Sequence, residues 1–294
     1  MVRGLVKVGS GVSFIPIILI GAARSGTKLL RDTIALHSQI EKVPYDINYI
    51  WRLGNEAIPH DELPPDNATP EVIRKIHKGI LHYRKTQAPL LIEKTVSNSL
   101  RPTFTNRVFP NAYYIHLIRD GRDVVESSLR QWLAPPNWHY IMKKASSYPI
   151  NQAFGYALNY SITTIYKMLG FHDIKTSTWG PRYKGIDVDV KENDLVTVCS
   201  LQWRYSIEKS LHGLKKIGDD RVYTLRYEDF VVDPYGYLSQ IASFIGVNQD
   251  DYLGADLSHI SRENVGKGCS AVTSEQLNIM MSIITEPLQQ LGYI

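Results

Sequence analysis

The sequence predicts a single α/β domain in which helices cover both faces of a central parallel sheet, giving three layers. Two observations predict it. Short runs of consecutive apolar residues suit strands buried on both faces, and they alternate along the chain with segments whose apolar residues recur at helical spacing. With 294 residues, 44% of them apolar and 21% charged, the chain can bury a full core and is ordinary in composition. We find no internal repeat and treat 1–294 as one domain.

The strands are predicted from their apolar runs. Residues 15–20 read IPIILI, a continuous run rich in β-branched side chains. Similar runs predict strands at 90–92 and 113–118, and RVYTLR predicts a fourth at 221–226. The first run ends at Gly21, and the next two end at charged residues. Because parallel strands end at the same edge of a sheet, we expect the turns that follow them to lie close together.

The helices are predicted from apolar residues that recur every three or four positions. Residues 43–70 are rich in Pro, Asn and Asp and are expected to be irregular. Residues 134–194 are the least regular stretch, and we expect an irregular and partly helical insertion there. The predicted helices are 27–37, 70–83, 123–132, 152–169, 195–217 and 237–245.

Charge, cysteine content and hydropathy exclude several classes of protein. The net charge of +4 and the isoelectric point of about 8.8 suit an anionic ligand but fall short of a dedicated nucleic-acid binder. Cys199 and Cys269 are far apart, which argues against a disulfide framework or a zinc site. The longest apolar run, residues 14–20, is too short to span a bilayer. We therefore expect a soluble, cytoplasmic protein without a transmembrane segment.

The turn after the first strand has the composition of an anion-binding loop. It reads GAARSGTK over residues 21–28, and its small residues let consecutive backbone N–H groups point at one anion near a helix N-terminus. Arg24 adds charge, while Ser25 and Thr27 add hydroxyl donors. The pattern is P-loop-type, but the order Gly26-Thr27-Lys28 differs from the Gly-Lys-Ser/Thr of nucleoside triphosphatases. A glycine turn without a ligand is the alternative.

The turn after the third strand also joins a strand to a helix and carries a positive charge and a hydroxyl group. Residues 113–130 read YYIHLIRDGRDVVESSLR, so the strand ends at Arg119 and the next helix carries Ser127 eight residues later. These two side chains can converge on one phosphate, which would give a second anion pocket. The alternative is a solvated Arg/Asp loop that pairs with itself.

Together, the two segments resemble sulfotransferases that depend on 3′-phosphoadenosine 5′-phosphosulfate (PAPS). The resemblance is closest to the branch with the tyrosylprotein sulfotransferases and related bacterial enzymes. ARSGTKLLR matches the family's 5′-phosphosulfate loop, and LIRDGRDVVESSL matches its 3′-phosphate motif. IEKTVSNSLRPTFTNRVFPNAYY, which contains Lys94, resembles the family's central stretch, and LRYEDFVVDP resembles its late strand and helix.

The resemblance implies a donor site for PAPS, with adenosine 3′,5′-bisphosphate (PAP) as product and no metal. Residues 24–28 would hold the 5′-phosphosulfate, and Arg119 with Ser127 would hold the 3′-phosphate. Arg130 and Tyr227 would support the nucleotide, and the segment at 258–267 would fold over the 3′-phosphate. The predicted donor residues are Arg24, Ser25, Gly26, Thr27, Lys28, Arg119, Ser127, Arg130, Tyr227, Ser258 and Lys267.

Sulfuryl transfer needs cations near the leaving oxygen and a base near the acceptor. The resemblance assigns the cations to Arg24 and Lys94, although a lysine at a strand end can also be an ordinary surface residue. Asp46 is the nearest carboxylate to the position where the family carries its glutamate base. His37 and His116 are alternatives for the base, but a helix-capping and a core position, respectively, suit them better. Lys28 would either add charge at the phosphosulfate or point to solvent.

The acceptor is expected in a groove covered by residues 43–65 and by the insertion at 134–194. Aromatic rings there can stack on sugars or other rings, although such residues are more often ordinary packing. We expect a carbohydrate, glycolipid or small metabolite as acceptor, and no nucleic-acid partner. A P-loop kinase or other ATP-dependent transferase, and a catalytically inactive nucleotide-binding module, remain open. The aromatic candidates are Tyr45, Tyr49, Trp51, Trp138, Tyr140, Tyr148 and Tyr183.

Overall fold

The computed structural model describes residues 6–8, 12–134 and 179–294. Five strands form a parallel sheet in the order β3-β4-β2-β5-β6, and the short β1 pairs with β2 in the antiparallel sense. The predicted α/β class with a central parallel sheet is therefore confirmed. The strands of the described residues are β1 (Val6–Val8), β2 (Val12–Ile20), β3 (Ile40–Lys42), β4 (Leu90–Glu93), β5 (Tyr113–Ile118) and β6 (Val222–Arg226).

The central strand β2 contains a proline, which usually marks an edge strand. In a parallel strand, the N–H and C=O groups of one residue point to the strand on one side, and those of the next residue point to the strand on the other side. The N–H of Ile15 donates to the carbonyl of Pro89 at 2.9 Å, on the β4 side, so Pro16 faces the β5 side. Pairing with β5 begins only at Ile17, opposite Tyr113. The missing N–H of Pro16 therefore costs no hydrogen bond in the sheet.

Helices cover both faces of the sheet because the side chains of β2 alternate between two cores. Phe14, Ile18 and Ile20 pack on one face, and Ile15, Ile17 and Leu19 pack on the other. The described helices are α1 (Thr27–Ile34), α2 (Asn48–Trp51), α3 (Pro70–Leu81), α4 (Pro102–Val108), α5 (Gly121–Leu133), α6 (Ile186–Glu192), α7 (Leu195–Ile217), α8 (Tyr227–Phe230), α9 (Pro234–Ile245) and α10 (Ser274–Gln290).

Each face has its own helices. The face with Ile18 packs against α3, α4 and the end of α7, whereas the face with Ile17 packs against α1 and α9. A third cluster joins α5, α7 and α10 beside the sheet. The result is the expected three-layer arrangement.

Several elements differ from the sequence prediction. α1 ends at Ile34 rather than at residue 37. The elements that were not predicted are β1, β3, α2, α4, α6, α8 and α10. The predicted helix at 152–169 and most of the predicted insertion lie outside the described residues. The assignment of 1–294 to one domain stays a prediction. Within the described ranges, no helix has the length and apolar character needed to cross a membrane.

Candidate active site

The register of the sheet brings four turns to one edge, which we call the carboxyl edge. The strands β4, β2, β5 and β6 are adjacent and parallel, so the residues that follow them emerge side by side. The turn at 21–26, Lys94, Arg119 and Tyr227 therefore begin at this edge. The aligned positions are Ile18 with Glu93, Ile20 with His116, and Ile118 with Arg226.

The donor loop between β2 and α1 is held in a tight, left-handed turn. Arg24 has a φ of 68° and Gly26 has a φ of 89°. Ser25 is fully buried, and its hydroxyl has no hydrogen-bond partner among the described residues. A Cβ atom on Gly26 would lie 2.5 Å from the ring of Tyr227. Glycine is therefore required at position 26 both by the backbone angle and by the neighbouring ring.

Arg24 joins the donor loop to the second predicted pocket. Its Nε donates to Oγ of Ser127 at 3.0 Å, and its carbonyl accepts from Nη1 of Arg119 at 3.0 Å. Burial, together with the positive charges of Arg130 and Arg119, lowers the pKa of the Arg24 guanidinium. The two predicted anion pockets are thus in direct contact, and positive charge is concentrated between them.

Arg119 is buried, with 6% of its surface exposed. Its guanidinium lies over the ring of Tyr227, with Cζ 4.4 Å from the ring centroid, and Nη2 is 3.5 Å from Oδ2 of Asp123. Nη2 also donates to the carbonyl of Asn264. Its Nε is buried and has no partner in the described part of the chain.

These unpartnered donors fit an anionic ligand. Buried polar atoms in proteins nearly always have hydrogen-bond partners. At this edge, the hydroxyl of Ser25 and the Nε of Arg119 have none among the described residues, beside a loop that carries the exposed Arg24. An oxyanion is the class of ligand that such donors and cations accept.

Lys94 and Asp46 come together although they are far apart in sequence. Nζ of Lys94 is 3.6 Å from Oδ2 of Asp46, and both side chains are largely buried. The carboxylate also accepts from the backbone N–H of Val96 at 3.1 Å and of Asn48 at 3.3 Å. The predicted cation and the predicted base are therefore fixed side by side, next to the turn that follows β2.

Glu93 is a charged residue of this site that sequence analysis did not single out. It is 2% exposed. Burial, with a further contribution from the negative charge of Asp46, raises the pKa of its carboxyl to about 7. Asn98 donates to it at 3.1 Å, and the hydroxyl of Thr95 donates to its other oxygen. Thr95 in turn accepts from the N–H of Ile47 at 3.1 Å. Its position at the end of an apolar strand was the available signal.

Three predicted donor residues make other contacts, and a fourth, Lys267, is exposed. The side chain of Lys28 is 77% exposed and pairs with Asp32 at 3.2 Å, so it points away from the loop. Arg130 pairs with Glu126 through a side chain that is 63% exposed. The hydroxyl of Ser258 donates to Asp256 at 2.6 Å.

Of the two histidines named as alternative bases, His116 lies in the core as expected. The ring of His37 contacts Asn248 and Gln39 and does not cap α1. Nε2 of His37 is 2.9 Å from the carbonyl of Asn248, beyond the end of α1. Burial lowers the pKa of His116 to about 4, and its Nε2 is 3.0 Å from Oγ of Ser210. Both rings are at most 2% exposed, so neither can meet an acceptor in this conformation.

The aromatic candidates for acceptor binding divide into three groups. Trp51 and Tyr183 are at most 1% exposed and belong to the core, so ordinary packing accounts for them. Tyr45 and Tyr49 are half-buried, and the hydroxyl of Tyr49 is 2.6 Å from that of Tyr83. Outside the described residues lie Trp138, Tyr140 and Tyr148.

An α/β domain with an anion-binding loop after its first long strand, and an arginine after a neighbouring strand, defines a P-loop-like group transferase. Residues 16–152 match the sequence model of the sulfotransferase family. The closer likeness to tyrosylprotein sulfotransferases stays a prediction.

One solved structure supports the fold, and a second is reported beside it. A sulfotransferase domain from the curacin biosynthetic pathway has 20% identity and a TM-score of 0.53, over 96% of this chain and 99% of that one. A sulfotransferase domain from the Synechococcus PCC 7002 olefin synthase has 18% identity and a TM-score of 0.48, over 94% and 97% of the two chains. No curated protein matches this chain significantly.

Proposed function

We propose that this chain transfers the sulfuryl group of PAPS to a hydroxyl or amine of a small-molecule acceptor. One observation carries the proposal: Arg24 contacts both Ser127 and Arg119 at the carboxyl edge, and the Lys94–Asp46 pair follows the adjacent strand. The match of residues 16–152 to the sulfotransferase family model supports the reaction type.

The donor would bind with its two ends on either side of Arg24. Residues 24–28 would hold the 5′-phosphosulfate through backbone N–H groups and the hydroxyl of Ser25. Arg119 and Ser127 would hold the 3′-phosphate, which distinguishes PAPS from ATP. The unpartnered Nε of Arg119 supports this assignment, since a phosphate oxygen would satisfy it.

The reaction would be an in-line displacement at sulfur. The acceptor oxygen or nitrogen forms a bond to sulfur while the bond from sulfur to the 5′-phosphate oxygen breaks, and PAP leaves. Asp46 would take the proton of the acceptor. Arg24 and Lys94 would stabilise the negative charge that grows on the leaving oxygen.

The acceptor would enter beside Asp46, between the irregular residues 43–65 and the end of β4. A carbohydrate, glycolipid or small metabolite is the class we propose. The half-buried Tyr45 next to Asp46 supports an acceptor with a ring that an aromatic side chain can cover.

The kinase alternative requires a lysine that reaches the phosphates from the donor loop. Lys28 instead pairs with Asp32 on the outside of α1. The two hypotheses separate in a thermal-shift experiment with PAP and with ATP–Mg²⁺. We expect stabilisation by PAP that exceeds that by ATP–Mg²⁺ at equal concentration. The reverse order would contradict the donor assignment.

Transfer itself is tested with sulfur-labelled PAPS and a panel of sugars, glycolipids, phenols and amines. We expect label on at least one acceptor class, and none with the Arg119→Ala variant. Tight binding of PAP without transfer to any acceptor would favour the catalytically inactive nucleotide-binding module.

A further inference from the structure

The loop formed by residues 262–270, between α9 and α10, is held at the donor site by the side chains of Asp123 and Arg119. Asp123 lies in the first turn of α5 and is 3% exposed. Its Oδ2 accepts from the N–H of Gly266 at 2.9 Å, and its Oδ1 accepts from the N–H of Gly268 at 2.7 Å. Both oxygens of one buried carboxylate thus bind the backbone of the loop.

The same carboxylate faces the anion-binding arginine. Oδ2 of Asp123 is 3.5 Å from Nη2 of Arg119, and that nitrogen donates to the carbonyl of Asn264 in the loop. Asp123, Arg119 and the loop therefore form a closed set of contacts. A change in any one of them alters the position of the other two.

The fit between loop and helix leaves no room for adjustment at Gly268. A Cβ atom there would lie 2.2 Å from the carbonyl carbon of Arg122 and 2.5 Å from the backbone nitrogen of Asp123. The loop backbone therefore rests directly on the first turn of α5. The helix N-terminus also favours a carboxylate at this position. By contrast, most of the loop's other residues are exposed.

We propose that Asp123 is a positioning residue that fixes the 262–270 loop against Arg119 before the nucleotide binds, and so gives the site its preference for a 3′-phosphate. The ligand in this statement rests on the proposed function. Sequence analysis expected Ser258 and Lys267 to contact the 3′-phosphate. The contacts instead assign the coupling between loop and arginine to Asp123, with Gly266 and Gly268 as its partners.

The first experiment needs no nucleotide. Hydrogen exchange at the amides of Gly266 and Gly268 is compared between the wild type, Asp123→Asn and Asp120→Asn. An asparagine offers one oxygen for two N–H groups, so we expect exchange to accelerate about 10-fold or more in Asp123→Asn. Asp120 is the matched control, because it caps the same helix and pairs with Arg122 without contacting the loop. Unchanged exchange in Asp123→Asn would overturn the proposal.

The second experiment measures affinity for PAP and for adenosine 5′-monophosphate, which lacks the 3′-phosphate. In Asp123→Asn we expect PAP to bind about 10-fold more weakly and adenosine 5′-monophosphate to change less than 2-fold. Equal losses for both ligands would indicate a general structural role and would contradict the proposal.

A second substitution separates positioning from charge. Asp123→Glu keeps the negative charge but moves the carboxylate, so a positioning role predicts weaker PAP binding in this variant as well. If the charge alone mattered, removing it would strengthen PAP binding in Asp123→Asn and Asp123→Glu would bind normally, which would overturn the proposal. Failure of the proposed function is distinguishable, because the wild type would then show no preference for PAP while the hydrogen-exchange result stood.

Discussion

On the donor side of the carboxyl edge, buried hydrogen-bond donors lack partners, whereas on the acceptor side buried carboxylates have them. On the donor side, Ser25 and Arg119 keep buried donors without partners in the described part of the chain. On the acceptor side, both oxygens of Glu93 and both oxygens of Asp61 accept hydrogen bonds from the protein. The donor side therefore offers free hydrogen-bond donors to an anion, whereas the protein itself satisfies these two buried carboxylates of the acceptor side.

This difference shows what each side must supply. A donor nucleotide brings its own charges, so the protein leaves donors free to meet them. Around Asp61, the charge of Arg101 and hydrogen bonds from Asn48, the backbone N–H of Arg182 and Ser97 outweigh burial and lower the pKa of the buried carboxyl. That network fixes the irregular segment which carries Asp46. The acceptor side thus holds Asp46 and Lys94, the proposed base and cation, at a fixed separation before any substrate arrives.

The largest effect is expected at the acceptor side, from Asp46→Ala. Loss of a general base lowers kcat by about 10²–10⁴-fold. PAP affinity should change less than 2-fold, because Asp46 contacts Lys94 and backbone N–H groups rather than the donor loop. Steady-state kinetics with labelled PAPS and calorimetry with PAP measure the two quantities. Asp66→Ala, which removes an exposed carboxylate of the same irregular segment, is the control.

Asp46→Asn decides whether the carboxylate acts as a base or only as a support. The amide oxygen can still accept a backbone N–H, so a supporting role predicts near-normal kcat. A base predicts that kcat falls about 10²–10⁴-fold, as in Asp46→Ala. Near-normal turnover in this variant would remove Asp46 from the chemistry.

The second largest effect is expected on the donor side, from Arg119→Ala. Removing one partner of a buried, hydrogen-bonded charge pair weakens PAP binding by about 10²–10³-fold. Arg119→Lys should recover only part of this, because one ammonium cannot replace a fork that reaches Arg24 and Asn264 together. The control is Arg122→Ala, whose guanidinium pairs with Asp120 at 2.6 Å. Full recovery by lysine would show that charge, and not geometry, recognises the donor.

Glu93 gives the acceptor side a pH-dependent stability. Its pKa is raised from 4.5 to about 7, so the folded state holds a proton that the unfolded state releases. The stabilisation is complete below pH 4.5 and is lost as the pH rises through 7, a change on the order of 3 kcal/mol. Urea unfolding of Glu93→Gln, which stays neutral, should therefore match the wild type near pH 4.5 and exceed it at pH 8. A difference that does not vary with pH would refute this reading.

The donor side was the more predictable of the two because its elements are local. The predicted bounds Tyr113–Ile118 and Leu195–Ile217 are those of β5 and α7, and the loop after β2 follows from one apolar run and one glycine. The three-residue strand Ile40–Lys42 is too short to give a pattern. The start of α10 has a sequence signal, since Thr273 and Gln276 form a capping box, but the helix itself was not predicted.

The acceptor side was less predictable because its contacts join distant segments. The family resemblance points to both Lys94 and Asp46, but their 3.6 Å separation depends on the way residues 43–65 fold back. The residues next to Asp61 in sequence do not indicate that its carboxylate accepts hydrogen bonds from Asn48, Ser97 and the backbone of Arg182. The same limit applied to Asp123, which stands in a recognised motif but whose partners are more than 140 residues away.

A smaller effect on the donor side is expected from Gly26→Ala. The φ of 89° strains an alanine, and its Cβ would force the ring of Tyr227 away from Arg119. We expect PAP affinity to fall about 10-fold, from the lost cation–π contact and the shifted loop. Gly185→Ala isolates the backbone contribution, because Gly185 has a φ of 103° and a Cβ there meets nothing within 4 Å. Equal stability losses with normal PAP binding in both variants would show that Tyr227 does not position Arg119.

The smallest effect is expected from Lys28→Ala, which tests where the donor side ends. Lys28 lies in the first turn of α1, yet its side chain is 77% exposed and pairs with Asp32 at 3.2 Å. Exposed pairs of this kind contribute little, so PAP affinity should change less than about 2-fold. Arg24→Ala is the comparison and should weaken PAP binding at least about 10-fold, because it removes the bond to Ser127. If calorimetry gave the two variants equal losses, the lysine would have to leave Asp32 and turn to the nucleotide. The nucleotide would then rearrange the donor side on binding, and the site would not be preformed.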